Sequence, residues 1–268
     1  MAGWPVSRHW YPRARLPSRL TSLPHVSRTA NTPMSDSAAL DSFLDKWRAR
    51  WPEWSVAEVF VAPARRDIAV AWFALLQEFD DVLNVSGDPM PADAKLAWWS
   101  EELRGWSAQR SRHPLGRRLE PVRAAWSALG DALPALVAAR ETPSSGEAAF
   151  AALAGYGAAV AAVEAEVLGR APATDAVVAQ VLAARLADLG ASAVPTAFRQ
   201  PDDGAAVPAW ATDLLRRWDG RREGARERRV LAAYMRGRVV RLARQGVPAA
   251  LPSRPVLLFA GWRAARGD

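Results

Sequence analysis

The sequence predicts an all-α fold, on three observations. Apolar residues recur at three- and four-residue spacing from Leu40 onward, with almost no strand-like alternation. Alanine, the best helix former, is abundant throughout. The breaks between periodic stretches carry turn chemistry: Ser86-Gly87-Asp88-Pro89, Thr142-Pro143-Ser144-Ser145-Gly146, Gln200-Pro201-Asp202-Asp203-Gly204 and Gly246-Val247-Pro248.

The elements follow in chain order. Residues 1–33 hold Pro5, Pro12, Pro17, Pro24 and Pro33, five arginines and no acid. Prolines at that spacing exclude a packed amphipathic helix. The stretch reads as a disordered basic tail, or as translation assigned from a start codon upstream of Met34; its arginines and serines also suit organelle targeting. One folded domain is expected over 34–268. Ser35, Asp36 and Ser37 offer N-caps for a helix over 37–50, whose inner face is Leu40, Phe43, Leu44 and Trp47. A helix over 63–84 carries Ala69, Val70, Trp72, Phe73, Leu75 and Leu76. One over 91–110 carries the stripe Leu96, Trp99, Leu103 and Trp106. Further helices are expected over 115–140, 144–169, 173–199, 206–219, 222–245 and 253–265. Arg199 would end the helix over 173–199, where a cation complements the helix dipole. Acids and arginines interrupt every apolar run before about 18 residues, so no bilayer-spanning segment is expected. Most of the 13 tryptophans are read as core, with some available to line a cavity.

Composition narrows the chemistry. There is no cysteine, which excludes disulfides, thiolate metal sites and cysteine nucleophiles. His9 and His25 lie in the tail, leaving His113 alone in the body, read as structural. Oxygen-ligand chemistry with Mg²⁺ remains, together with arginines able to meet phosphate. The net +7 divides unevenly: +5 in residues 1–33, −7 in 34–211, and +9 in 212–268, where 14 arginines face 5 acids. The arginines of 216–244 fall on several helix faces among core-like Leu231, Tyr234 and Val239, so nucleic-acid binding is not expected. The C-terminal segment suits an anionic membrane surface. The expected setting is cytoplasmic, with peripheral contact to a membrane.

Two stretches could hold a hard cation. In Gln77-Glu78-Phe79-Asp80-Asp81-Val82-Leu83-Asn84, positions 80 and 84 share a helix face, as do 77 and 81. The plainer alternative is a solvated helix end. The second stretch is Leu189-Gly190-Ala191 through Arg199-Gln200, followed by Asp202 and Asp203; its plainer reading is a closely packed helix, a capping arginine and a loop. Between them, Lys95-Leu96-Ala97-Trp98-Trp99-Ser100-Glu101-Glu102-Leu103 precedes His113-Pro114-Leu115-Gly116. Glu101 and Glu102 there are read as solvated or paired with Arg104 and Lys95.

In this order the stretches resemble the squalene/phytoene synthase family. The Lys95–Leu103 block with His113-Pro114 is similar to the family's R-L-x-W-W-x-x-E-L…H-P. Ser55 through Phe73, with Arg65 and Arg66, looks like its first substrate-binding region. Asp80–Asn84 stands where the family has D-D-x-x-D, and Leu189–Arg199 where it has L-G-x-A…N-x-x-R-D. The resemblance covers roughly 37–265 and implies a single-domain helical bundle of the class I isoprenoid synthase type. It implies Asp80, Asp81 and Asn84 as Mg²⁺ ligands, with Asp80 and Asp81 catalytic. It also implies Ser55, Arg65, Arg66, Gln77 and Arg199 as contacts to an isoprenoid diphosphate, in a Mg²⁺-dependent head-to-head prenyl transfer. The sequence departs from the pattern at Gln77, Asn84, Thr196 and Gln200, and Pro195 falls inside the second motif. A second reading is a catalytically inactive relative acting as a binding or assembly module with a protein partner; the family includes a mitochondrial complex I assembly factor of that kind.

Overall fold

A computed structural model describes residues 36–199, 204–218, 224–248 and 250–266. The tail 1–33, Gln200, Asp202 and Asp203 lie outside the described residues. Among the described residues every regular element is helical, as the periodicity predicts. The first helices are α1 (Asp36–Arg50), α2 (Trp54–Ala57), α3 (Pro63–Leu83) and α4 (Met90–Ser107). Three short ones follow: α5 (Gly116–Leu119), α6 (Trp126–Ala132) and α7 (Pro134–Ala138). Then come α8 (Gly146–Leu168), α9 (Thr174–Leu189), α10 (Ala206–Arg217), α11 (Arg226–Gln245) and α12 (Arg254–Arg266).

The boundaries follow local chemistry. Pro63 occupies the first turn of α3, where its missing N–H costs nothing. Ser145 caps α8 by accepting from the Ala148 N–H at 3.1 Å, and Gly169 ends it in the left-handed region at φ 80°.

Three expectations need correction. The single helix over 115–140 is instead α5, α6 and α7. Pro121 has no N–H to continue the ladder, and Pro134 starts a helix afresh. The helix expected to reach 199 stops at Leu189, because Gly190 turns to φ 56° and Pro195 separates two short 3₁₀ turns, Gly190–Ala193 and Thr196–Phe198. The third concerns bilayer length: α8 and the stretch Thr174–Ala193 are long and apolar enough to cross a membrane. Both pack in the bundle, with Glu164, Gln180 and Arg185 buried among apolar neighbours.

The buried side chains form one continuous core. α3 runs through it, with Ala69 through Leu75 all buried. Edge-on aromatic pairs link helices across it: Phe79 with Trp99 at 5.7 Å, Trp106 with Trp126 at 5.1 Å and Trp72 with Trp126 at 6.1 Å. α1 packs on α3, α9 on α8, and α11 on α10 and α12. α3 itself packs on α1, α4, α5, α7, α8 and α9, and α11 meets its C-terminal half across a cavity.

Candidate functional site

The C-terminal half of α3 presents two faces. Phe73, Leu76, Gln77 and Asp80, at helical spacing, point into a cavity lined by Trp47 of α1, Trp51 just after it, Tyr156 of α8, Gln180 of α9, and Arg228, Leu231 and Met235 of α11. Its volume is about 40 Å³, room for about three water molecules, against roughly 300–1,000 Å³ for cavities that enclose drug-sized ligands. Large side chains fill the centre: Trp47, Trp54 and Phe73 pack on one another at 5.3–5.8 Å.

The polar wall of the cavity is a buried network. Arg228 donates to both carboxylate oxygens of Glu164, at 2.9 Å through Nε, and to the side-chain oxygen of Gln180. Trp72 Nε1 donates to Glu164 at 2.7 Å, and the Arg228 guanidinium lies 5.0 Å from the centre of the Phe73 ring. Gln180 Nε2 is buried with no acceptor. No described group donates to Asp80. Burial pushes its carboxyl well above the usual 3.8, with Asp81 and Asp188 adding to the rise and Arg50 and Arg228 opposing it. Burial likewise pushes the Tyr156 hydroxyl well above its usual range, Asp80 contributing.

The second face is an ion-pair cluster. Asp81 accepts from Lys46 Nζ at 3.0 Å, from Arg50 at 3.2 Å and from Gln77 Nε2 at 3.0 Å. Lys46 also donates to Glu78 at 2.8 Å, whose other oxygen accepts from Lys95 at 2.6 Å. Burial alone would raise Glu78; the two ammonium groups overcome it and hold the carboxyl below its usual 4.5. From α9, Asp188 accepts from Arg50 at 2.6 Å and from Asn84 Nδ2 at 3.1 Å. Burial leaves Asp188 raised despite these partners. Arg140 and Arg185 donate to the Val82 and Leu83 carbonyls at 3.0 Å, capping the end of α3. Beside Asp80, three carboxylates (Glu78, Asp81, Asp188) face three cations (Lys46, Arg50, Lys95).

Of the expected site residues, Gln77, Asp80, Asp81 and Asn84 lie together. The others lie elsewhere. Arg65 reaches Glu227 at 3.4 Å and Arg66 donates to the Val61 carbonyl at 3.1 Å. They stand 15 and 14 residues before Asp80 on α3, about 21–22 Å along its axis. Ser55 donates to the Pro52 carbonyl at 2.8 Å. Arg199 donates to the Val194 and Ser192 carbonyls at 2.8 and 3.0 Å, closing its own turn. The carboxylate that α9 brings to α3 is Asp188, one residue before the stretch singled out in the sequence. Lys46, Arg50, Glu164, Gln180, Arg228 and Tyr156 were also not anticipated. A signal existed for two of them: Glu164 lies among Val160, Val163 and Val167, and Arg228 one turn before Leu231, so each interrupts an apolar stripe.

The Lys95–His113 block is a loop clamp. Glu102 is buried, and it accepts from Trp106 Nε1 at 2.9 Å, from the Arg112 and His113 backbone N–H groups at 2.6 and 2.7 Å, and from Arg112 Nε at 3.0 Å. Glu102 was expected to be solvated or paired with Lys95 or Arg104; its cation is Arg112. His113 packs 4.5 Å from the Phe43 and Trp99 rings, and burial lowers its pKa to about 4.

The residues present do not fit Mg²⁺ as the resemblance requires. Asp81 is already held by two cations and an amide, and Asn84 turns its NH₂ to Asp188, leaving its oxygen buried and unpartnered. Among the described residues no three acidic or imidazole side chains converge as a metal site.

No family model matches the chain, and no curated protein matches it. Among solved structures it is similar to squalene synthase HpnC from Alicyclobacillus acidocaldarius, at 16% identity and a TM-score of 0.49, over 88% of this chain and 94% of that one.

Proposed function

We propose that this chain is a catalytically inactive relative of the squalene/phytoene synthases, serving as a helical binding or assembly module. One observation carries the reading: Lys46 and Arg50 bond the carboxylate of Asp81, where the resemblance expects a metal ion. An internal ammonium and guanidinium neutralise the acids permanently, so the charge balance that Mg²⁺ would supply is built into α1. The small cavity supports the same reading, since a prenyl chain would have to displace Trp47, Phe73 or their neighbours.

Incubation with Mg²⁺ and farnesyl or geranylgeranyl diphosphate tests it. The expected result is no pyrophosphate above background and no shift in melting temperature with millimolar Mg²⁺. The double variant Lys46→Ala/Arg50→Ala uncovers the acids; it should be less stable and partly restored by Mg²⁺. Pyrophosphate release that vanishes in Asp80→Ala would sink the proposal.

A further inference from the structure

α12 meets the body with one face and presents the other to solvent. Leu257 and Gly261 are buried against it. Tyr234 of α11 donates to the Leu257 carbonyl at 3.1 Å, and Arg229 donates to the Ala264 and Ala265 carbonyls at 3.1 Å. These bonds fix the helix's rotation. At 100° per residue, Val256, Phe259, Trp262, Arg263 and Arg266 fall within one outward arc of about 120°.

That arc is apolar, aromatic and cationic. Val256, Phe259 and Trp262 are 56%, 62% and 44% exposed, and Val247 and Leu251 before the helix are also exposed. The Phe259 and Trp262 rings lie 5.8 Å apart, and the Arg266 guanidinium sits 4.6 Å from the centre of the Trp262 ring. From Arg228 to Gly267 the sequence holds nine arginines and no acid. Arg244, Arg254, Arg263 and Arg266 of this stretch are exposed.

We propose that the outer face of α12 docks on an anionic lipid surface. Phe259 and Trp262 enter at headgroup depth, and Arg263 and Arg266 meet lipid phosphates. Charge complementarity selects this occupant: large apolar side chains on an arginine-rich stretch of chain without acids match the apolar-under-anionic layering of such a bilayer. The arginine stems can lie along the apolar surface while their heads stay at the phosphates. The proposal concerns a face of α11–α12 apart from the α3 cluster, and it does not depend on whether that cluster is catalytic.

Co-sedimentation of the full chain with vesicles tests it. Phosphatidylcholine vesicles containing about one third phosphatidylglycerol should bind the protein, and phosphatidylcholine alone should not. Binding should weaken as salt rises. Phe259→Ser/Trp262→Ser and Arg263→Gln/Arg266→Gln should each reduce partitioning about tenfold or more, with helical content and melting temperature unchanged. Equal partitioning of wild type and the ring variant overturns the proposal, as does failure of the anionic vesicles to bind. So does a wild-type dimer, seen by sedimentation, that the ring variant dissolves, because the occupant is then a second copy.

Discussion

Asp80 and Asp81 are adjacent carboxylates with opposite surroundings. Asp81 faces outward into Lys46 and Arg50, whereas Asp80 faces inward, where no described group donates to it. A carboxyl whose folded pKa is raised keeps a proton that the unfolded chain has lost. Its contribution to stability is therefore favourable at low pH and declines as pH rises from 3.8 toward the folded value. Asp80→Asn cannot ionise, so it should gain stability over wild type at pH 8, and the gain should disappear below pH about 4. Urea midpoints at the two extremes measure this; the same difference at both would show that Asp80 is ionised in the fold. Spacing put Asp80, Asp81 and Asn84 within one helical turn, but the fold sends Asp80 to the cavity and Asp81 and Asn84 to the ion-pair cluster. It could not say that neighbouring residues point into different environments, because that depends on what α1 and α11 pack against.

At the scale of elements, α12 depends on close approach at Gly261. A Cβ there would lie 2.6 Å from the Tyr234 hydroxyl and 2.8 Å from the Phe60 ring. Gly261→Ala should therefore lift α12 and cost about 1–3 kcal/mol. Faster amide exchange confined to α12 and the facing part of α11 would show it, and unchanged exchange there would refute it. Helix existence was legible almost throughout, from Asp36–Arg50 to Arg254–Arg266, because core-facing stripes repeat at 3.6 residues. Helix continuity was less so. Pro121 and Pro134 break the 115–140 region at points where the apolar pattern runs on. The short α2 holds too few residues to show a period.

At the scale of the whole molecule, Glu164 and Arg228 tie α3, α8, α9 and α11 together through Trp72 and Gln180. Both are almost fully buried, at 0% and 3%. Removing one partner leaves an unpaired charge in the core and should cost about 3–5 kcal/mol, read from urea unfolding of Glu164→Leu. Glu164→Leu/Arg228→Met should recover most of that loss. If the double variant were as unstable as the single one, side-chain volume rather than charge would be the cause. The overall charge follows the same division of labour. On α11, Arg228 and Arg238 are held by Glu164 and Glu53, and Arg229 by the backbone of α12. Much of the C-terminal positive charge is thus structural, and α12 carries three of the exposed arginines, Arg254, Arg263 and Arg266.

The sequence by itself determined that the chain folds as helices, where most of them start, and that acidic and amide side chains gather at the end of α3. These are local properties, carried by propensity, periodicity and spacing. Only the tertiary structure decided what meets those oxygens. Lys46 and Arg50 lie more than 25 residues upstream of Asp81, and Asp188 lies about a hundred downstream. No local pattern records that four helices bring their charges to one point, or that the central space closes around tryptophan and phenylalanine.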